Sequence, residues 1–84
     1  MRDPERIPEI LDLIHKLWLR DPDLRFNQLV YNLQGEYSYM NNDSGKIIER
    51  ASDGYESIGY DFFNLEDSEF IEFLRTKTQD EKNI

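Results

Sequence analysis

The stretch PERIPEILDLIHKLWLRDP, residues 4–22, decides the fold, because its apolar side chains recur every three or four positions. This spacing is typical of an amphipathic helix that buries one face. The residues on the predicted buried face are Ile7, Ile10, Leu11, Ile14, Leu17 and Trp18. We expect Trp18 to be a core residue and not a binding residue. Leu13 and Leu19 fall off this face, so we expect them to be exposed or at a contact.

The first helix is predicted to span about residues 4–20. Pro4 suits the first helical position, where a missing N–H loses no bond. Pro8 cannot donate to the carbonyl of Pro4, so we expect a bent first turn or a later start of the regular helix. Asp21 precedes a proline, which disfavours helical torsions and ends the helix.

A second helix is predicted over about residues 24–34, where the three-and-four spacing of apolar residues resumes. Gly35 follows it, and glycine is common just past the end of a helix. The apolar residues that define this helix are Phe26, Leu29, Val30 and Leu33.

Residues from about 36 to 59 allow two interpretations, a β-hairpin or a long irregular loop. The segments EYSYM (36–40) and KIIER (46–50) alternate as short strands do, and the turn-rich NNDSG lies between them. Two strands alone are marginal in water, which favours the loop. We favour the hairpin, and we expect the following ASDGYESIG (51–59) to be a loop.

A last helix is predicted over about residues 65–77, inside the acidic and aromatic run YDFFNLEDSEFIEFLR at residues 60–75. Its predicted core residues are Phe70, Ile71 and Leu74, with Phe73 at the margin of that face. Residues 79–84 are mostly polar and are predicted to be a frayed tail. The chain is therefore predicted to be one small domain, residues 1–84, that is mainly α, or α+β if the hairpin forms.

The 84-residue chain carries a formal net charge of −8, and most of that charge lies in its second part. Residues 34–84 contain twelve acidic and five basic residues, and the run from Asp53 to Glu72 has seven acids and no base. Such a field repels nucleic acid and anionic membranes and attracts a basic protein. Part of this negative charge has a local role, because Glu66, Asp67 and Glu69 favour the positive end of the last helix. We expect Asn64 or Asp67 to cap that helix.

The N-terminal sequence MRDPERIPEI has no apolar run of the kind found in secretory signals. No stretch approaches the roughly 20 apolar residues that a membrane span needs. We therefore expect a cytoplasmic location and no membrane binding.

The residue inventory argues against an enzyme. The chain has no cysteine, and its one histidine, His15, lies on the flank of the first helix. The four glycines are scattered and form no phosphate-binding loop. The loop NNDSGKIIER has its glycine in the wrong place for a calcium-binding hand. We predict no catalytic residue, no cofactor and no metal site.

Three segments resemble a family of small bacterial and phage proteins of unknown function, in which RDPxRI, PDxRxxQL and DxFxxED motifs recur. They are RDPERI at 2–7, DPDLRFNQL at 21–29 (preceded by Trp18), and DFFNLEDSEF at 61–70. The resemblance implies a compact helical domain and brings no known activity. It does not extend over residues 35–59.

The sequence favours a cytoplasmic protein-interaction module, phage-encoded if the resemblance holds, that acts through its acidic and aromatic second part. One alternative is a nucleic-acid mimic that occupies the basic groove of a host DNA-binding protein. A small ligand-binding domain or an enzyme is a disfavoured alternative. A protein partner with basic character is expected, direct nucleic-acid binding is not, and a homodimer stays open. The predicted partner-facing residues are Tyr55, Tyr60, Asp61, Glu69, Glu72 and Phe73.

Overall fold

The computed structural model describes residues 1–80 and contains three helices and one antiparallel hairpin. In chain order, the elements are α1 (Arg6–Leu19), α2 (Phe26–Met40), β1 (Lys46–Arg50), β2 (Glu56–Tyr60) and α3 (Asp67–Asp80). This architecture confirms the predicted fold class, mainly α with a β-hairpin. The chain divides into two compact units. Unit 1 comprises Met1–Phe26 and the segment from Leu65 onward, and unit 2 comprises Asn27–Asn64.

In unit 1, α1 packs against α3, and the two helices run in roughly the same direction. Arg6 reaches Asp67 in the first turn of α3, and Arg20, just after α1, donates to the carbonyl of Thr78 near the end of α3. The buried apolar side chains of these two helices are Leu13, Leu17, Ile71, Phe73 and Leu74. Burying each such side chain contributes about 1.5–3 kcal/mol, so this small set dominates the stability of unit 1.

The buried face of α1 differs from the predicted one. Leu13 and Leu17 are 7% and 5% exposed, whereas Ile7 and Leu11 are 50% and 63% exposed. Leu13 was expected off the core face, and Ile7 and Leu11 were expected on it, so these three predictions are wrong. Apolar residues cover more than one side of this helix, and α3 packs on the side that carries Leu13. Periodicity alone cannot choose between two apolar sides.

Prolines shape the start of α1, and a tryptophan contact shapes its end. The regular helix starts at Arg6, and the N–H of Ile7 bonds to the Pro4 carbonyl at 3.1 Å, a bond that Pro8 could not make. At the other end, Trp18 is half-buried, and its Nε1 donates to the carbonyl of Leu24 at 2.7 Å. Its ring lies 5.5 Å from that of Phe26. Trp18 therefore fixes the connection that follows α1.

In unit 2, α2 continues through Gly35 to Met40, so the predicted helix end at residue 34 is wrong. A Cβ on Gly35 would lie 3.1 Å from the hydroxyl oxygen of Tyr60, so the glycine makes room for this ring and does not end the helix. The segment 36–40, predicted as a strand, forms the last turn of α2 and buries Tyr37.

The helix α2 ends in the turn that was expected to join two strands. Asn42 and Asp43 have φ angles of 59° and 60°, and the N–H of Asp43 bonds to the carbonyl of Ser38 at 2.8 Å. A left-handed residue with a bond back across five residues is a common way to satisfy the last carbonyls of a helix. Asparagine and aspartate tolerate that conformation, so NNDSG suits a helix end as well as a hairpin turn.

The hairpin is real but pairs different segments from those predicted. β1 pairs with β2 in antiparallel register, with Ile48 opposite Ile58. KIIER is a strand as expected, whereas its partner is ESIGY, which was assigned to a loop. Gly54, with a φ of 88°, lies in the turn between the strands.

An aromatic cluster holds the hairpin in unit 2. The ring of Phe62 meets Tyr37 edge-on at 5.3 Å and stacks on Tyr60 at 6.2 Å. Tyr60 in turn lies 5.4 Å from the ring of Tyr31. Aromatic pairs at these distances contribute roughly 0.5–1.5 kcal/mol beyond the apolar area that they bury. The cluster supplies the support that two strands alone would lack.

The last helix starts two residues later than predicted and runs further. Residues 79 and 80, predicted as part of a frayed tail, belong to α3, and the rest of that predicted tail lies outside the described residues. Neither α1, α2 nor α3, as described up to residue 80, has the length and apolar character to cross a membrane.

Candidate functional site

Two short Asp-x-aromatic segments flank β2, at residues 53–55 and 61–63. In each, the aspartate Oδ1 accepts the backbone N–H two residues later, at 3.0 Å for Asp53 and Tyr55 and at 3.1 Å for Asp61 and Phe63. This bond fixes the local turn. The aromatic residues are 69% and 92% exposed. Each segment therefore presents a solvent-exposed ring on a fixed turn that also carries a carboxylate.

The two segments lie at opposite ends of β2. A strand of five residues rises roughly 17 Å at about 3.3 Å per residue, so the rings do not form one contiguous patch. They are two separate contact points on one hairpin. The predicted partner-facing residues include Tyr55 and Asp61 but not Phe63, which follows an aspartate at the same spacing as Tyr55. The repeated spacing, an aspartate two residues before an aromatic residue, is the signal that could have found it.

The other predicted partner-facing residues lie in different surroundings. Tyr60 is half-buried in the aromatic cluster of unit 2. Phe73 is 8% exposed, so it is not available to a partner and its prediction as a contact residue is wrong. The buried arc of α3 is wide enough to include it, and its ring lies 5.4 Å from that of Phe70. Glu69 and Glu72 are exposed on α3, in unit 1.

Several acids of the run from Asp53 to Glu72 are bonded to arginines. Glu66 accepts two hydrogen bonds from Arg2, at 3.1 and 2.8 Å, and Asp67 accepts one from Arg6 at 2.7 Å. Asp67 was expected to cap its own helix, whereas its observed hydrogen bond is to a guanidinium. These partners are 64 and 61 residues apart in sequence, so no local pattern could predict them.

Arg75 forms a second paired centre in unit 1. Its guanidinium bonds to Glu9 and, at 3.0 Å, to Glu72 of its own helix. Glu72, a predicted contact residue, therefore pairs with Arg75, and its charge is less available to a partner protein. The Glu69 carboxylate forms no ion pair within residues 1–80.

The charge of Glu66 is stabilised by its arginine. The hydrogen bonds from Arg2, with the attraction of its positive charge, hold the pKa of the Glu66 carboxyl below its usual value, against smaller opposing effects of desolvation and of nearby Asp67. The Glu66 side chain is 56% exposed, so solvent screens much of this effect. It has the character of a structural ion pair and not of a catalytic acid.

Unit 1 contains an open groove of about 550 Å³. The lining residues are Leu13, Lys16, Leu19, Arg20, Arg75, Thr78 and Gln79. Its cations already have partners, since Lys16 pairs with Asp12, Arg75 with Glu9, and Arg20 with the Thr78 carbonyl. The groove is therefore a poor candidate for recognising an anionic ligand.

A second cavity of about 160 Å³ lies beside His15, Trp18, Leu19 and Pro22. It is smaller than the roughly 300–1,000 Å³ typical of small-molecule sites. Within residues 1–80, no three His, Asp or Glu side chains are arranged to hold a metal ion.

Comparisons with protein-family models, with curated proteins and with solved structures found no match. The resemblance of RDPERI, DPDLRFNQL and DFFNLEDSEF to a family therefore stays a prediction.

Proposed function

We propose that the protein is a cytoplasmic protein-interaction module without catalytic activity, and that its contact points are the Asp-x-aromatic segments 53–55 and 61–63. The observation that supports this is the exposure of Tyr55 and Phe63, at 69% and 92%, on turns fixed by Asp53 and Asp61. Aromatic side chains have few rotatable bonds and a large contact area, and they dominate the energy of many interfaces. A fixed turn further reduces the entropy lost on binding.

The expected partner is a protein with basic side chains at the contact. Unit 2 carries six acidic and two basic residues, so its field attracts positive charge. Each segment offers an arginine or lysine two complementary interactions, an ion pair with the aspartate and a cation–π contact with the ring. Two such points on one hairpin would bind two basic side chains of one partner.

The aromatic contribution can be tested with a partner captured from lysate and then purified. We expect the double variant Tyr55→Ala/Phe63→Ala to bind it at least about tenfold more weakly, since each anchor ring contributes about 1 kcal/mol or more. Tyr39→Ala is the matched control, because Tyr39 is 83% exposed but lies on α2. Circular dichroism checks that both variants fold. Equal affinity of the double variant and the parent protein would refute the assignment.

The charge contribution has its own variants. Asp53→Asn and Asp61→Asn keep an acceptor oxygen for the turn while removing the charge. We expect slower association and a weaker dependence of affinity on salt. If the partner associates with the Asp53→Asn/Asp61→Asn double variant at the same rate in low salt, its basic side chains do not recognise these two aspartates.

A further inference from the structure

The strand β1 has an open outer edge. In the ladder of the hairpin, Ala51 N–H bonds to the Tyr55 carbonyl and Asp61 N–H to the Gly45 carbonyl, both at 2.8 Å. Antiparallel partners alternate between pairs that exchange hydrogen bonds and pairs that do not. With the observed register, Ile47 and Glu49 bond to β2. Their neighbours 46, 48 and 50 turn their backbone N–H and carbonyl groups outward.

The corresponding edge of β2 is partly closed. Ile58 also turns its backbone groups outward, but its carbonyl accepts a hydrogen bond from the hydroxyl of Tyr31 at 2.8 Å. On β1, Lys46 N–H bonds to the carbonyl of Asp43 at 3.2 Å. The outward backbone groups of Ile48 and Arg50 have no hydrogen-bond partner within residues 1–80. The part of the hairpin whose backbone groups are free to pair with another strand is therefore the middle and end of β1.

The side chains of this edge are positively charged in an otherwise acidic unit. Lys46 and Arg50 are the two basic residues of unit 2, and they flank Ile48 on the same face of the strand. Ile48 is 51% exposed. Arg50 also pairs with Glu56 across the hairpin, so Lys46 is the basic residue with more freedom to meet a ligand.

This charge pattern distinguishes between possible occupants. A second copy of the chain, paired antiparallel about Ile48, would place Lys46 opposite Arg50 of the other copy. Like charges directly opposite one another destabilise a strand pair. An acidic segment has the complementary pattern, because residues i, i+2 and i+4 of a strand share one face.

We propose that the outer edge of β1 binds an extended protein segment of the pattern acid-x-apolar-x-acid, which adds as a third strand. The backbone bonds to Ile48 would supply affinity, and the two acidic side chains would set register against Lys46 and Arg50. This inference goes beyond the proposed function, since it concerns a different edge of the hairpin and a ligand of opposite charge.

The test uses a labelled synthetic peptide with the centre Glu-Thr-Val-Thr-Glu and, as its counterpart, Lys-Thr-Val-Thr-Lys. By fluorescence anisotropy, we expect the acidic peptide to bind about tenfold more tightly or better. Hydrogen exchange of the Ile48 amide should slow when that peptide is bound. The same peptide N-methylated at its central valine should lose binding to the unaltered protein, because it cannot complete the ladder.

A matched pair of variants locates the edge. Ile48→Pro removes the outward N–H of β1 without removing a bond to β2, and should abolish binding of the acidic peptide. Ile58→Pro makes the same change on the opposite edge and should leave binding intact. Lys46→Glu should weaken binding about tenfold and reverse the preference between the two peptides.

Several results would overturn the proposal. They are equal binding of the two peptides, full binding by the N-methylated peptide, and unchanged exchange of the Ile48 amide in the complex. Self-association that disappears in Ile48→Pro would assign the edge to a second copy instead. The double variant Tyr55→Ala/Phe63→Ala should still bind the peptide, so failure here is distinguishable from failure of the proposed function.

Discussion

Arg6 donates its Nε–H to a carboxylate oxygen of Asp67 at 2.7 Å and so ties the first turn of α1 to the first turn of α3. Their side chains are 29% and 42% exposed, so water and salt screen this ion pair less than they screen a fully exposed pair. The bond links the N-terminal and C-terminal segments of unit 1.

Breaking this bond should destabilise the protein measurably. We expect Asp67→Ala to lower the free energy of unfolding by about 1 kcal/mol, measured by urea denaturation. The control is Asp12→Ala, which removes the exposed Asp12–Lys16 pair and should cost less than about 0.5 kcal/mol. Equal losses of unfolding free energy in the two variants would show that the Arg6–Asp67 bond stabilises the protein no more than an exposed ion pair does.

The pair of Arg2 and Glu66 predicts a dependence of stability on pH. Because Arg2 lowers the pKa of Glu66 in the folded state, the pair stabilises the protein above the ordinary glutamate pKa. That contribution is lost as the pH falls through the lower, folded-state value. We expect Arg2→Ala to return the Glu66 pKa, followed by NMR, toward its usual value, with Arg2→Lys intermediate because it lacks the guanidinium fork. An unchanged titration in Arg2→Ala would rule out the pairing in solution.

Trp18 should contribute both packing and a hydrogen bond. We expect Trp18→Ala to cost about 2–3 kcal/mol, below the value for a fully buried tryptophan because the ring is half-buried. Trp18→Phe keeps much of the packing but leaves the Leu24 carbonyl without its donor, so it should cost about 1 kcal/mol. Leu11→Ala, at a residue 63% exposed, should change little. A melting temperature unchanged in Trp18→Ala would contradict the packing.

Two glycines with positive φ angles should respond differently to alanine. A Cβ on Gly45 would lie 2.5 Å from the ring of Phe62 and 2.9 Å from the Asp61 carbonyl, whereas one on Gly54 meets open space. Gly54→Ala carries only the conformational cost of about 1 kcal/mol. Gly45→Ala adds a clash, so we expect a loss of about 2–4 kcal/mol by thermal or urea unfolding. A Gly45 variant as stable as the Gly54 variant would mean that Phe62 can move aside.

Removal of metal ions should leave the protein unchanged. Residues 1–80 contain no cluster of ligands suited to a metal ion, so EDTA should not alter the thermal melt. A melting temperature that falls with EDTA and recovers with one specific ion would reveal a site.

Local sequence patterns were sufficient to predict that the helices and one strand form. The spacing of apolar residues indicated α1 and α3, and Asp21 followed by proline marked the end of α1. These features depend on residues within one or two turns of each other, which the sequence displays directly. The exposed position of Tyr55 is likewise a property of its polar, glycine-containing segment.

Contacts between distant residues decided the rest. Gly35 stands inside α2 because the Tyr60 ring needs its space, and β1 pairs with β2 because the aromatic cluster holds β2 beside α2. Likewise, α3 buries Leu13 and leaves Leu11 exposed. The sequence by itself determined where the chain could form helices and strands, since backbone preference and apolar spacing are local. Only the tertiary structure decided which faces are buried, which strands pair and which carboxylates meet arginines, because each depends on a partner far away in the chain.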